Sequence, residues 1–158
     1  MAKGSSKNAQ SGARKGFSLF ELLIVVVILG VLSTMVGPAM SRIVRHNRVN
    51  RSATLIAADL QNAFAVAARQ REPVRIQADA ATRSYVFIDR KTGAVLRIRT
   101  FYGDTSEYRL TRLTFTPSTI DVFPSGVSSA ALVVDLANGD YVRQVTASTA
   151  GFIRMLPR

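Results

Sequence analysis

The sequence lacks cysteine and tryptophan, and it has one histidine among 158 residues. Without cysteine there is no disulfide framework, thiolate metal site or cysteine nucleophile. The histidine, His46, stands between an arginine and an asparagine with no acid near it in sequence, which disfavours a role as general base. The ten Asp and Glu residues show no metal-ligand spacing, and the chain has no phosphate-binding glycine loop and no nucleophile elbow. We therefore predict that the protein is not an enzyme and uses no cofactor or metal.

Acidic residues are scarce, and the net charge is +11. Four of the cations (Lys3, Lys7, Arg14 and Lys15) lie in a segment without acids, residues 1–16, and removing them from the net charge leaves +7. The other cations are 16 arginines and Lys91. Because the planar guanidinium suits phosphate and carboxylate groups, anionic lipids, acidic subunits and DNA are all candidate partners. A solvated arginine-rich surface in a chain that uses Arg in place of Lys is the alternative.

Residues 1–16 are polar and cationic, and they read as a processing segment that cannot fold alone. Residues 17–36 follow as 20 mostly apolar residues with one charge, Glu21. A helix rises about 1.5 Å per residue, so this run is long enough to cross a hydrocarbon core of about 30 Å. An ordinary secretory signal, cleaved near Gly37 and Ala39, is the alternative, but its apolar region is usually about 7 to 15 residues long.

Glu21 is the residue in this run that needs an explanation, because a carboxylate in a membrane helix usually marks function. If the chain were cut between Gly16 and Phe17, the new amino group would lie one helical turn from Glu21, in the same chain or in an adjacent helix. The two charges would then neutralise each other. Alternatively, the Glu21 side chain reaches the lipid headgroups and has no partner.

The start of the apolar run resembles a known processing signal, that of type IV pilins and type II secretion pseudopilins. The residues that carry the resemblance are Lys15-Gly16-Phe17-Ser18-Leu19-Phe20-Glu21. The resemblance implies that a prepilin peptidase cuts after Gly16, that Phe17 becomes N-methylated, and that Glu21 directs docking onto a neighbouring subunit. It also implies a single-pass protein of the inner membrane with its C-terminal domain in the periplasm.

Gly30 and Pro38 stand where many type IV pilins have a helix-weakening glycine and a proline. Glycine disfavours a helix interior and proline removes a backbone hydrogen bond, so a kink or a melted stretch is expected between them. Beyond Pro38, apolar residues recur every three or four positions and predict an amphipathic helix that ends near Arg71, before Glu72-Pro73. The apolar positions are Val49, Ala53, Ile56, Leu60, Phe64 and Ala67.

A basic stripe, defined as Arg42, Arg45, Arg48 and Arg51, follows the predicted membrane helix. Under the positive-inside rule, the stripe and the cations of residues 1–16 each favour the cytoplasmic side of the membrane, so they predict opposite orientations. The pilin resemblance decides the orientation and places the stripe on the periplasmic side. Lipid headgroups and acidic neighbours in a filament are the functional partners that the stripe suggests. A solvated cationic face is the alternative.

From Val74 onward, short runs rich in β-branched and aromatic residues alternate with turn residues and predict a β-domain. The expected strands are 74–78, 84–89, 94–100, 108–115, 119–123, 130–136, 141–147 and 151–156. Tight turns are predicted at Lys91-Thr92-Gly93 and at Asn138-Gly139.

One long helix followed by antiparallel strands resembles the H-type minor pseudopilins (the GspH/FimT family), as do Phe123-Pro124-Ser125-Gly126, the strand at 130–136 and Gly151-Phe152-Ile153-Arg154. The predicted class is α+β, with a long N-terminal helix packed on an antiparallel β-domain. The predicted segments are a cleaved leader at 1–16, a transmembrane and assembly helix at 17–40, an amphipathic continuation at 41–72 and a periplasmic β-domain at 73–158.

Two functions follow from these patterns. The favoured one is a minor pseudopilin, a structural subunit of a type II secretion filament that contacts other pseudopilins and inner-membrane lipid. The alternative is a minor type IV pilin that binds DNA for uptake through arginines interleaved with Phe101, Tyr102 and Tyr108. The arginines proposed to contact DNA or another anionic partner are Arg97, Arg99, Arg109, Arg112 and Arg154.

Overall fold

A computed structural model describes residues 17–103 and 106–157 of the chain. Its first element is the helix α1, Leu19–Gln70. The chain divides into two compact units between Ala39 and Met40. Within the described residues, no helix combines the length and the apolar character that a membrane crossing requires.

Helix α1 is continuous through both Gly30 and Pro38, so no melted stretch interrupts it, and the kink expected between these residues stays a prediction. A proline within a helix removes one backbone hydrogen bond, which a long helix can tolerate. The C-terminal end agrees with the prediction. Arg71 adopts a left-handed conformation (φ 59°), which ends the helix. Glu72 could not continue it, because a residue before proline prefers extended backbone.

In the part of the chain that the structure describes, eight strands follow α1, and all of them pair in an antiparallel manner. One sheet has the order β3-β2-β1-β5 and the other the order β4-β6-β7-β8. The predicted class, a helix packed on antiparallel sheets, is confirmed. The strands are β1 Val74–Asp79, β2 Ser84–Asp89, β3 Val95–Thr100, β4 Arg112–Thr116, β5 Thr119–Val122, β6 Leu132–Asn138, β7 Tyr141–Ala147 and β8 Ile153–Pro157.

Strand β4 is the strand whose start differs most from the prediction, since it begins at Arg112 and not at Tyr108. Arg109 is in a left-handed conformation (φ 45°), which breaks the extended backbone that a strand needs. The next residue, Leu110, donates its N–H to the Phe101 carbonyl (3.2 Å). Residues 108–111 are therefore a loop that ends in the core.

The core of the second unit lies between one face of α1 and the inner faces of the two sheets. Of the predicted helix stripe, Phe64 is half-buried and the other five residues are buried. Their strand partners include Tyr85, whose ring packs against Phe87, Phe101 and Phe115 at centroid distances of 5.4, 5.8 and 5.5 Å. The amphipathic pattern thus identified the packing face of the helix.

Both predicted turns are present. In the second turn, Asn138 pairs with Tyr141, which leaves Gly139 and Asp140 as a two-residue loop. Gly139 has φ 62°, the conformation that favours glycine at the first position of a type II′ hairpin turn. In the first turn, the Asp89 carboxylate accepts hydrogen bonds from the backbone N–H groups of Lys91 (2.8 Å) and Thr92 (3.1 Å).

Candidate functional site

The N-terminus of α1 is built by Ser18 and Glu21. The Ser18 hydroxyl accepts a hydrogen bond from the Glu21 backbone N–H (3.1 Å), and the Ser18 carbonyl accepts one from Leu22 (3.2 Å). Ser18 is therefore the N-cap and Glu21 occupies the third helical position, the spacing of a capping box. The spacing Ser-x-x-Glu was visible in the sequence, but the capping role of Ser18 was missed.

A carboxylate at this position also interacts favourably with the positive end of the helix dipole. Glu21 makes no ion pair within the described residues. Phe17 lies next to the cap and is 78% exposed. Gly16 falls outside the described residues, so the predicted cut between Gly16 and Phe17 stays a prediction.

The first unit presents a long apolar surface. The large apolar side chains from Phe17 to Leu32 are all exposed, at fractions of 42% or more. An exposed apolar surface of this extent marks a site of contact with other molecules. Gly30 is open to its surroundings, because a Cβ atom placed there would meet nothing within 4 Å beyond the adjacent backbone of its own helix.

The second unit holds a charge cluster that was not predicted, formed by Asp59, Tyr85, Arg97 and Arg99. Asp59 is 4% exposed and its carboxylate accepts three hydrogen bonds. The donors are the Tyr85 hydroxyl (2.7 Å) and the guanidinium groups of Arg97 (2.9 Å) and Arg99 (2.9 Å). Burial in this cluster, together with the bond to Asp59, raises the pKa of the Tyr85 phenol, while the bond to Asp59 raises that of Arg99.

A signal for this cluster was present in the sequence. Asp59 stands in the helix between the buried residues Ile56 and Leu60, and this position predicts that the Asp59 carboxylate faces the core. A buried carboxylate requires cationic or hydrogen-bonding partners. Arg97 and Arg99 alternate along β3 and share a face of that strand, as predicted, and this face is turned toward Asp59.

The residues proposed to contact DNA do not form one surface. Arg97 and Arg99 bind Asp59, Arg112 starts β4 at one edge of its sheet, and Arg154 lies on β8 at the other edge. Arg109 lies in the loop before β4. The arrangement of alternating arginines and aromatics that the sequence suggested is therefore not assembled.

The aromatic residues of that proposed surface do not form a row of exposed rings. Phe101 is 1% exposed, so its ring cannot stack on a base, and Tyr108 packs against it at 5.2 Å between centroids. Tyr102 is exposed, with the Arg83 guanidinium 4.6 Å above its ring. Stacking on single-stranded nucleic acid needs several exposed rings along one groove.

The four arginines of the basic stripe do not all lie on one side of α1. A step of three residues turns a helix by about 300°, so successive arginines move about 60° around the axis. Arg45 and Arg48 are half-buried, while Arg42 and Arg51 are exposed. Arg51 forms an exposed ion pair with Glu107 (3.5 Å).

The ring of His46 contacts Tyr141 (5.2 Å between centroids), and its Nε2 atom is 3.4 Å from the Asn50 amide nitrogen. Asn50 in turn accepts a hydrogen bond from Arg143 (2.8 Å). These contacts connect α1 to β7. Across the described residues, no group of three His, Asp or Glu side chains could hold a metal ion.

Known proteins resemble this chain in its N-terminal motif and in its fold. Residues 12–37 match the family described as the prokaryotic N-terminal methylation motif. No curated protein matches the chain significantly in sequence.

Three solved structures are similar in fold. The type IV minor pilin FimU of Pseudomonas aeruginosa is 22% identical, with a TM-score of 0.57 over 70% of this chain and 90% of FimU. A second crystal form of FimU has a TM-score of 0.53 at 21% identity, over 68% and 92% of the two chains. EpsH, a minor pseudopilin of the Type 2 Secretion System of Vibrio cholerae, is 19% identical, with a TM-score of 0.51 over 70% of this chain and 97% of EpsH. Residues 12–37 therefore carry the N-terminal methylation motif, and the chain is similar in fold to these minor pilins and this minor pseudopilin.

Proposed function

We propose that the chain is an H-type minor pseudopilin, a non-catalytic structural subunit of a type IV pilus-like filament. The observation that carries this proposal is the exposed apolar helix of the first unit, which begins at Leu19 and has Glu21 in its first turn, close to Phe17. Removal of residues 1–16 by a prepilin peptidase would place a new, N-methylated amino group at Phe17. That amine is the partner that the Glu21 carboxylate lacks within the described residues.

In this proposal residues 17–40 anchor the subunit in the inner membrane and then pack against neighbouring helices in the filament, and residues 73–158 lie in the periplasm. The support is the run of 20 residues with a single charge, which is long enough to span a bilayer. A carboxylate and an ammonium group about 4 Å apart attract by roughly 4 kcal/mol at an effective dielectric of 20, and by about 1 kcal/mol in water. The charge pair therefore favours the assembled state, where lipid and helices exclude water.

Between a secretion filament and a DNA-uptake pilus we favour the secretion filament. Binding of Arg97 and Arg99 to Asp59 uses two of the arginines that a DNA surface would need. Salt-sensitive DNA binding that is lost in an Arg109→Ala/Arg112→Ala variant would favour uptake, since contacts with phosphate release counterions. Absent or salt-insensitive binding would favour secretion.

Substitution of Glu21 tests the assembly role. Glu21→Ala should leave leader cleavage and membrane insertion intact and should reduce crosslinking to neighbouring pilin-like subunits at equal membrane levels. Glu21→Gln keeps the size of the side chain and removes its charge, so it should behave like Glu21→Ala if the charge is what matters. Unchanged crosslinking in both variants would mean that Glu21 does not direct assembly.

A further inference from the structure

Strand β3 forms an open edge of its sheet. In the described part of the chain its one strand neighbour is β2, in the order β3-β2-β1-β5. The Phe101 N–H donates to the Arg83 carbonyl (2.9 Å), and bonded residues alternate along an antiparallel pair. Arg97 and Arg99 therefore bond to β2 through their backbone, whereas Ile98 directs its backbone N–H and C=O groups to the open edge.

The edge stays accessible at Ile98. This side chain is 68% exposed, and its backbone takes part in none of the turn or loop hydrogen bonds among the described residues. Side chains alternate between the two faces of a strand, so Ile98 lies on the outer face of the sheet while Arg97 and Arg99 face Asp59. Unpaired backbone groups at a sheet edge are a template for pairing with another strand.

A groove of about 190 Å³ lies between the last turns of α1 and the strands β2 and β3. Val66, Phe87 and Leu96 form part of its apolar lining, and Arg69 and Arg97 give it two positive charges. Sites that take small molecules usually measure about 300 Å³ or more, so this groove suits single side chains of a longer partner. It opens on the same side of β3 as the Arg97 side chain.

The groove carries more positive than negative charge. Arg97 and Arg99 share one carboxylate, that of Asp59, at 2.9 Å each. Arg69 is exposed and forms no ion pair with any described residue. Three guanidinium groups and one carboxylate therefore leave a net charge of +2 beside the open edge. Carboxylate groups of a partner would be attracted there.

Charge also distinguishes the strands that could pair with this edge. A second copy of β3 would bring the same arginines together, and like charges across a strand pair are destabilising. Residues 1–16 of this chain hold four cations and no acid, so the groove would repel them as well. An acidic strand from a different protein meets no such repulsion.

We propose that β3 accepts an added strand from a different protein, an extended segment in which acidic and apolar residues alternate. The apolar side chains of that segment would pack on Ile98, on the outer face of the sheet. Its acidic side chains, on the opposite face, would reach Arg69 and Arg97 in the groove. This interaction goes beyond assembly through the apolar helix and does not depend on it.

The test uses the full chain in mild detergent and a short fluorescein-labelled peptide in which glutamate and valine alternate. Fluorescence anisotropy measures binding. The peptide should bind, and a peptide with lysine in place of each glutamate should bind on the order of tenfold more weakly, because like charges repel across an interface. Absent binding, or equal binding of the two peptides, would overturn the proposal.

Methylation of the peptide backbone tests strand pairing without any change to the protein. Only alternate residues of an added strand bond to β3, whichever direction the strand takes. N-methylation of one alternate set, either the valines or the glutamates, should therefore abolish binding, and N-methylation of the other set should leave it nearly unchanged. The same effect from both sets would overturn the pairing.

Two substitutions in the protein test the edge and the charge. Ile98→Pro removes the outward N–H, which an edge strand tolerates, and should lower peptide binding on the order of tenfold, whereas Ile98→Val keeps the N–H and should keep binding. Arg69→Gln should weaken binding about threefold, since an exposed ion pair contributes modestly. Its matched control is Arg154→Gln, on β8 at an edge of the other sheet. Equal loss in the two arginine variants would overturn the proposal in favour of diffuse attraction to charge.

Two further peptides test the other occupants of the edge, one copying residues 95–100 and one copying residues 1–16. Both should bind more weakly than the acidic peptide. Tighter binding of either would overturn the proposal in favour of a second copy of β3 or of the chain's own N-terminal segment. Circular dichroism of each protein variant checks that the fold is kept, and if Ile98→Pro does not fold, the methylated peptides decide whether a strand is added.

Discussion

Replacement of Asp59 by alanine should be among the most damaging single changes in the second unit. The Asp59 side chain is 5% exposed and is the shared acceptor of Tyr85, Arg97 and Arg99. Truncation to alanine leaves two guanidinium groups without a counter-ion and a buried hydroxyl without an acceptor.

The size of the effect follows from the exposure of these groups. Loss of one partner from a buried ion pair costs about 3 to 5 kcal/mol. The Arg97 and Arg99 side chains are 34% and 36% exposed, so water solvates them in part and we expect the lower end, about 3 kcal/mol. The unpaired Tyr85 hydroxyl adds about 1 kcal/mol. A total of about 4 kcal/mol corresponds to a fall in Tm of roughly 10 to 20 °C for a domain of this size.

Urea unfolding of a soluble chain that begins at Met40 measures this free energy. Asp59→Asn should recover part of the loss, because its amide oxygen still accepts a hydrogen bond. Glu107→Ala is the control: it removes an exposed ion pair, to Arg51, and should cost less than about 0.5 kcal/mol. If Asp59→Ala lowered the free energy of unfolding by less than about 1 kcal/mol, the cluster would not be the stabilising feature that its geometry indicates.

The remaining predictions concern processing, independent folding and acid sensitivity. The intact mass of protein extracted from membranes should correspond to a chain that starts at N-methylated Phe17, and a chain that starts at Met1 or Met40 would contradict the processing step. A chain of residues 40–158 should be soluble and monomeric, and its circular dichroism should show β-structure with one helix; a mostly helical spectrum would contradict the fold. The Arg75 guanidinium lies 2.8 Å from the Asp121 carboxylate and lowers the pKa of that carboxyl group. The pair therefore stabilises the fold fully at a pH above the carboxyl group's unfolded pKa, near 4. This stabilisation is lost as the pH falls through the lower pKa of the folded state. Asp121→Asn should therefore flatten the decline in Tm below about pH 4, and an unchanged profile would show that this pair does not contribute.

The predicted elements that agree with the structure are those set by local chemistry. Strands β2 and β7 have the predicted bounds, and α1 ends where Glu72-Pro73 requires it to end. The side-chain period of a helix and of a strand can be read from neighbouring residues, and so can the demands of proline and glycine on the backbone. The N-terminal motif is equally local, since Gly16, Phe17 and Glu21 lie within six residues of one another.

The features that the sequence did not reveal depend on residues far apart in the chain. Arg97 and Arg99 looked like a free cationic face because their partner, Asp59, stands about 40 positions earlier, on another element. The sequence by itself therefore determined the elements and the N-terminal motif. The tertiary structure decided which charges pair with one another, because an ion pair depends on distance in space and not on separation along the chain.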